Sequence, residues 1–375
     1  MKMLSKILKK QITSTIIALL FGFLVAAIVL AIAGYNPGQA FGALFKGMLS
    51  KPKYISNVII KATPIILTGL SVAFAFKTGL FNIGAEGQYV AGSIAAVLVG
   101  VKLNLPAVIQ VPLVVLAGVL GGMVFGSVVG FLKAKFGIHE VITSIMLNWI
   151  SLYLSNFIVS SQAYHLPNST STYPVNESSY TMILPKWKTS DAGMAALKPN
   201  KWLYEMMLKT DVNVGIVIAI LMAVVIWVLL YRSNKGYELR AVGFNRDAAE
   251  FAGINVNRNI VQAMLIAGAL SGLAGALSIT GIAPHKISTL AAFENYGFNG
   301  LSVAMIAGSS PIGCVFAGLL FGGLLYGGQS VQQEVGAPTE IINIMIGTIV
   351  FFVALTKVVP ALAERLEKRG VGHAQ

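Results

Sequence analysis

Cysteine, histidine and acidic side chains are scarce here: 375 residues include one Cys, four His and 14 Asp plus Glu. The lone Cys314 lies in an apolar run, which excludes an intrachain disulfide and a cysteine-based metal site and reads as a small core residue. No paired metal-ligand spacing and no nucleophile-base spacing occurs in the apolar segments, and an isolated His139 or His285 reads as a satisfied polar group. A Gly-x-x-x-x-Gly-Lys-Ser/Thr phosphate loop is also missing. The chain is therefore expected to be no enzyme and to hold no cofactor, with any ATP hydrolysis performed elsewhere. Charged residues reach only 11%, against 56% hydrophobic residues and a mean hydropathy of +0.77, which excludes a soluble protein and describes a chain solvated mainly by lipid. The net charge of +13 does not indicate nucleic acid, because the basic residues stand at the ends of apolar runs rather than in a stripe with aromatics.

What is present is a series of long apolar runs. Ten of them, near 12–34, 57–76, 83–101, 107–132, 140–160, 212–231, 259–282, 295–309, 312–333 and 339–357, predict an all-α polytopic membrane protein with about ten transmembrane helices. Lys2, Lys6, Lys9 and Lys10 precede the first run, which lacks a small-residue cleavage site and is expected to be a retained helix. With that end inside, Lys77, Lys133, Lys135, Arg232, Lys235, Arg240, Arg246, Arg258, Lys357, Arg365, Lys368 and Arg369 also fall on the cytoplasmic side, so both termini are expected to be cytoplasmic. Lys46, Lys51, Lys53 and Lys61 run against this pattern.

The runs group into one domain, 1–375, with a first half at 1–160, an extracellular loop at 161–211 and a second half at 212–375. Phe125-Gly126 and Gly137-Ile-His-Glu140 in the first half resemble Phe321-Gly322 and Gly336-Ala-Pro-Thr-Glu340 in the second. Five spans per half predict two inverted five-helix halves meeting around a pathway near the bilayer midplane. The loop matches the glycosylation pattern at Asn168 and Asn176, a short pattern to which no function is assigned.

A polar loop, 232–258, separates two apolar runs of the second half. Asn245 is placed to cap a short helix, Arg246 and Glu250 to pair four residues apart, and Gly253 to end it, with Phe244, Ala248, Phe251 and Ala252 on one face. Such a helix is either a connector between spans or a handle for another protein.

Lys77-Thr-Gly-Leu-Phe-Asn-Ile-Gly-Ala-Glu-Gly-Gln88 and Lys235-Gly-Tyr-Glu-Leu-Arg-Ala-Val-Gly-Phe-Asn245 with Ala248, Ala249 and Ala252-Gly253-Ile254, supported by His139–Met146 and Gly308–Gly313, resemble permeases of ABC nucleoside importers. That family is related to ribose and branched-chain amino-acid permeases, and the resemblance covers nearly the whole chain. It implies a cytoplasmic ABC ATPase that binds ATP and Mg, a second permease subunit read as a paralogue, an extracellular substrate-binding lipoprotein, and a nucleoside as substrate. The segment of Phe244, Asn245, Ala248, Ala249, Phe251, Ala252 and Gly253 then becomes an ATPase-coupling helix. Asn299, Ser302 and Ser310 depart from the family's usual Asp, Ala and Asn, which leaves a simple sugar or a branched-chain amino acid open as substrate. An ion-coupled secondary transporter is the rival of another class.

Substrate-pathway candidates are Asn82, Glu86, Gln88, Asn148, Trp149 and Asn299. Gly84 and Gly87 are expected to interrupt a helix beside Asn82, Glu86 and Gln88, and a charge within a span costs about 2.5–3.5 kcal/mol, so Glu86 requires a protein or water partner. Substrate contact and an interhelical hydrogen bond near Lys77 are both open for it. An amide at Asn148 can read a nucleobase edge and the Trp149 indole can stack on its face. Glu140 and Glu340 read as helix N-terminal charges, and Gly118, Gly121, Gly122 and Gly126 with Gly268, Gly272 and Gly275 as close-packing faces.

Overall fold

The computed structural model describes residues 11–355. Its elements are α1 (Gln11–Ile32), α2 (Pro37–Leu49), α3 (Pro52–Lys77), α4 (Ala85–Lys102), α5 (Ala107–Phe136), α6 (Glu140–Ser160), α7 (Pro185–Lys188), α8 (Asp191–Leu197), α9 (Lys201–Leu208), α10 (Gly215–Arg232), α11 (Asn234–Phe244), α12 (Arg246–Phe251), α13 (Val256–Gly281), α14 (Tyr296–Ile306), α15 (Pro311–Val335) and α16 (Thr339–Ala354). No strand occurs among the described residues; only isolated bridges such as His165 with Thr172 do. The all-α expectation therefore holds.

Six of these helices, α3, α5, α6, α10, α13 and α15, are long and apolar enough to cross a membrane. Two shorter apolar helical stretches, Ile17–Ile32 and Thr339–Ala354, lie near the ends of the described chain. The run at 295–309 forms only the 11-residue α14, about 16 Å long and too short to span alone. The sequence reading also placed no helix at 37–49, where Asn36 caps α2 by accepting from the N–H groups of Gly38 and Gln39. The lysines before residue 11 and the basic cluster from Lys357 onward lie outside the described residues.

The chain forms two compact units, residues 1–54 with 323–375, and residues 55–322. In the first, α1 packs on α16 through Phe21 and Phe352, whose ring centroids are 4.9 Å apart. Lys46 pairs with Glu334 at 2.8 Å, so that lysine, at odds with the charge pattern, has a partner within its own unit.

In the second unit α4, α5 and α13 form a core with little side chain between the helices. A Cβ on Gly122 would lie 2.2 Å from the Gly268 carbonyl oxygen, and one on Gly272 would lie 2.3 Å from that of Gly118. The two glycine faces read from the sequence thus pack directly on each other, backbone against backbone. Helix α3 is the most enclosed of the six long apolar helices; it packs on α15 through Gly318 and Gly322 against Ile66 and Ala62.

The 161–211 connector is anchored rather than loose. Asn176 donates its N–H to Gly100 O at 2.9 Å and its side-chain amide to Val101 O and Leu103 O, closing the end of α4. His285, buried and stacked on Tyr180 at 3.9 Å, holds the connector to the segment after α13, where Val175 N–H donates to His285 O. Burial lowers the His285 imidazole pKa below its ordinary value, and burial likewise lowers that of the Lys188 ammonium.

Candidate functional site

The polar loop builds two helices rather than one. Ser233 caps α11 by accepting from Gly236 N–H at 2.9 Å, and Leu239 and Val242 bury that helix. The Lys235 ammonium, 2.8 Å from Glu238, and the Asn259 amide hold the Glu238 carboxyl below its usual pKa range. The chain extends for one residue at Asn245, whose side chain accepts from Ala248 N–H at 3.0 Å to start α12. Gly253, at φ +81°, ends it. The cap and the stop agree with the sequence reading. Two details do not: Phe244 is the last residue of α11 instead of part of α12, and Arg246 forms no ion pair with Glu250. The extended Asn245 sets Arg246 against the turn after α3, where its guanidinium donates to Gly79 O at 3.4 Å.

Phe244 and Phe251 are 95% and 97% exposed, and Ala248, Ala252 and Gly253 are exposed with them. Ala249 is buried within the chain itself. The result is a polar turn with two bare phenyl rings, seated beside a cleft of about 590 Å³ whose lining includes Lys133, His139, Glu140, Arg246, Asp247 and Glu250.

The same polar loop grips the turn after α3. Gly243 packs so closely on Gly79 that a Cβ on Gly79 would lie 2.7 Å from the Gly243 Cα. On the other side Glu140 accepts from Phe81 N–H at 3.3 Å and pairs with Lys133, so it ties the α5–α6 turn to the 79–84 break in addition to its place in the first turn of α6.

Four of the six pathway candidates, Asn82, Glu86, Gln88 and Asn148, are hydrogen-bonded in or beside this break. Asn82 and Gln88 exchange amide hydrogen bonds at 2.9 and 3.1 Å, and Asn82 also donates to the Ser71 hydroxyl. Asn148 accepts from Gly87 N–H at 2.8 Å and donates to Ile83 O at 3.1 Å, which fixes α6 to α4. Glu86, fully buried, accepts from Asn295 N–H at 2.8 Å and Gly297 N–H at 2.6 Å. Its partner is therefore the N-terminus of α14, where the unsatisfied N–H groups of a helix favour an anion, and not a group near Lys77. Gly84 precedes α4 as expected, whereas Gly87 lies inside its first turn and makes room for Asn148. Trp149 is different: it is 46% exposed, stacked with Tyr153 at 6.2 Å and against Phe293 at 4.9 Å. Asn299 is half-buried on α14. The sequence reading missed Glu294, an exposed carboxylate between Phe293 and Asn295; its signal was a charge flanked by two aromatics, Phe293 and Tyr296.

Membrane-length helices, a core of backbone contacts and a buried polar break held by distant segments describe a multi-pass membrane protein. The family model described as branched-chain amino acid transport system / permease component matches residues 54–354, and the chain belongs to that family. Among curated relatives, the guanosine ABC transporter permease protein NupP of Bacillus subtilis is 37% identical over 95% of this chain and 96% of its own length. The nucleoside ABC transporter permease protein NupB of Lactococcus lactis is 34% identical over 94% and 93%. The glucose ABC transporter permease protein TsgB13 of Haloferax volcanii is 29% identical over 90% and 85%. The first two bacteria each contribute a second permease, NupQ and NupC, both 26% identical over 71% of this chain. As an ABC permease component, the chain is a transport subunit and not itself an enzyme.

Proposed function

We propose that this chain is one permease of an ATP-driven importer that carries nucleosides into the cell by alternating access. The observation that carries the coupling is the pair of bare phenyl rings on a loop that grips the turn between α3 and α4. A partner ATPase, binding ATP and Mg, docks on Phe244, Asn245, Ala248, Phe251, Ala252 and Gly253, while Ala249 holds α12 to the permease. A second permease completes the pathway, as the pairing of NupP with NupQ and of NupB with NupC suggests. An extracellular lipoprotein delivers substrate. Ten membrane segments, α1, α3, α4, α5, α6, α10, α13, α14, α15 and α16, form two inverted halves at 1–160 and 212–375, with α14 entering the membrane only part-way. The loop 232–258 and both termini are cytoplasmic, 161–211 is extracellular, and the membrane is the bacterial cytoplasmic one.

The nucleoside assignment rests on similarity over nearly the whole chain to NupP and NupB; the glucose permease, at lower identity, keeps a sugar as the second reading. Uptake of labelled guanosine into proteoliposomes holding both permeases, the ATPase and the binding protein is expected to require ATP and to resist ionophores. Uptake that persists without ATP and collapses with an ionophore would establish an ion-coupled transporter instead.

A further inference from the structure

The chain between α13 and α14 is held at two levels. Near its start it is tied to the 161–211 connector and to α6: Thr172 N–H donates to Ile287 O at 2.9 Å, and the Asn156 amide brackets Leu290 with bonds of 2.8 and 2.9 Å. At its end Glu86 receives Asn295 N–H and Gly297 N–H. Between these anchors Ala291, Ala292 and Glu294 are exposed, and Phe293 turns against Trp149.

Trp149 stands nine residues after the start of α6 and 11 before its end, about 13 and 16 Å by helical rise, so this cluster lies near the middle of that span. Glu294 has no ion-pair partner within 4 Å among the described residues, and its favourable neighbours are the Tyr89 hydroxyl and the Lys61 ammonium. An exposed carboxylate at that depth cannot face hydrocarbon, so it faces water or a polar ligand. The adjacent Trp149 and Tyr153, 46% and 64% exposed with planes 27° apart, offer broad aromatic surface beside it, and Ala291 and Ala292 leave space.

Building on the nucleoside reading, we propose that Glu294, Trp149 and Tyr153 form a nucleobase subsite selective for guanine: the rings stack on the base and the carboxylate accepts from its edge. A carboxylate offers two acceptors and no donor. Guanine places two donors side by side, N1–H and N2–H, to match them. Hypoxanthine keeps one, and adenine sets an acceptor beside its amino group, which the second oxygen repels. Glu294→Gln turns the group into one acceptor and one donor, the pattern that pairs with adenine.

The test is uptake by the complete reconstituted transporter, with guanosine, inosine, adenosine and 2′,3′-dideoxyguanosine compared on wild type, Glu294→Gln and Trp149→Ala. Glu294→Gln is expected to lower guanosine kcat/KM at least about tenfold and to raise the adenosine-to-guanosine ratio at least about tenfold, at unchanged thermal midpoint. Trp149→Ala is expected to weaken all nucleosides by a similar factor, about 5- to 100-fold, because stacking is indifferent to the edge. An unchanged ratio in Glu294→Gln, or equal loss for every nucleoside, overturns the proposal; so does competition by inosine but not by 2′,3′-dideoxyguanosine, which would assign the carboxylate to the ribose diol. Wild-type protein that carries glucose or leucine and no nucleoside overturns the underlying reading, and this proposal with it.

Discussion

Replacing Phe244 and Phe251 by Ala separates docking from folding more cleanly than any other change in the chain. Both rings are almost completely exposed, at 95% and 97%, and neither makes a ring contact among the described residues. Their removal should therefore leave the permease's own stability within about 0.5 kcal/mol, the usual range for surface substitutions. Burial of one phenyl ring in a partner's groove contributes about 1.5–3 kcal/mol. At 1.4 kcal/mol per tenfold, each single variant should bind the ATPase roughly 10- to 150-fold more weakly. The two residues belong to one proposed docking surface at either end of the six-residue α12, so the double variant need not show the product of both, but about 100-fold or more is expected. Titration of the purified ATPase against permease in nanodiscs measures the loss, and a thermal scan of the same sample measures stability. Double-variant affinity within about threefold of wild type, at an unchanged melting temperature, would refute the docking role.

Glu86→Ala leaves the part-buried N–H of Asn295 and the buried N–H of Gly297 without their acceptor. At about 1–3 kcal/mol for each unsatisfied buried donor, it should lower the thermal midpoint by several degrees and abolish uptake; an unchanged midpoint would show α14 to be held by other contacts. Gly272→Leu should prevent assembly of the α4–α5–α13 core, because a Cβ there already lies 2.3 Å from the Gly118 carbonyl oxygen, and the readout is loss of monodisperse protein in size-exclusion chromatography. His285 has a folded pKa below its unfolded one, so the unfolded chain binds the proton first. Stability at the connector should therefore fall as pH drops below about 6.5, a loss that Tyr180 and Thr172 proteolysis sites would report and that His285→Phe should abolish. Gly243→Ala, whose Cβ would meet Lys77 O at 2.7 Å, should preserve ATPase binding while uncoupling ATP hydrolysis from uptake; normal coupling would remove Gly243 from the force path.

Local chemistry made much of this legible in the sequence. The Asn245 cap, the Gly253 stop and the break between Lys77 and Ala85 all depend on residues a few positions apart. So does each glycine face, although not its pairing with the other, since a stripe of small residues in an apolar helix has few uses other than close approach. What the sequence concealed is non-local. The acceptor for α14 comes from Glu86, more than 200 positions away, and Asn148 spends both ends of its amide on the backbone of the α4 break. Asn148 therefore looks free for a substrate in the sequence, and the partner that Glu86 requires cannot be named there, because both pair with main-chain N–H or C=O groups that side-chain identity does not reveal. Glu294 was overlooked for the opposite reason: it sits outside any helix pattern, and only the anchors on either side show that the segment carrying it descends along α6.

Helix α12 and the polar cluster are parts of one contact sequence. Arg246 and Gly243 hold the Gly79 turn from one side, and Glu140 holds Phe81 from the other. The next residues are Asn82, locked to Gln88 and Ser71, and then Glu86, which ends on α14. On the proposed docking, a displacement of α12 would reach the segment between α3 and α4 without crossing a flexible linker, and it would reach α14 through two short charge-assisted hydrogen bonds instead of apolar contacts that can slide. This continuity fixes where coupling would have to be broken: the two N–H donors that Glu86 accepts join the first turn of α4 to the segment that carries Glu294. Loss of that link should therefore alter substrate response and ATPase response together, whereas a change at Glu294 alone should alter substrate response and leave ATP-driven motion intact.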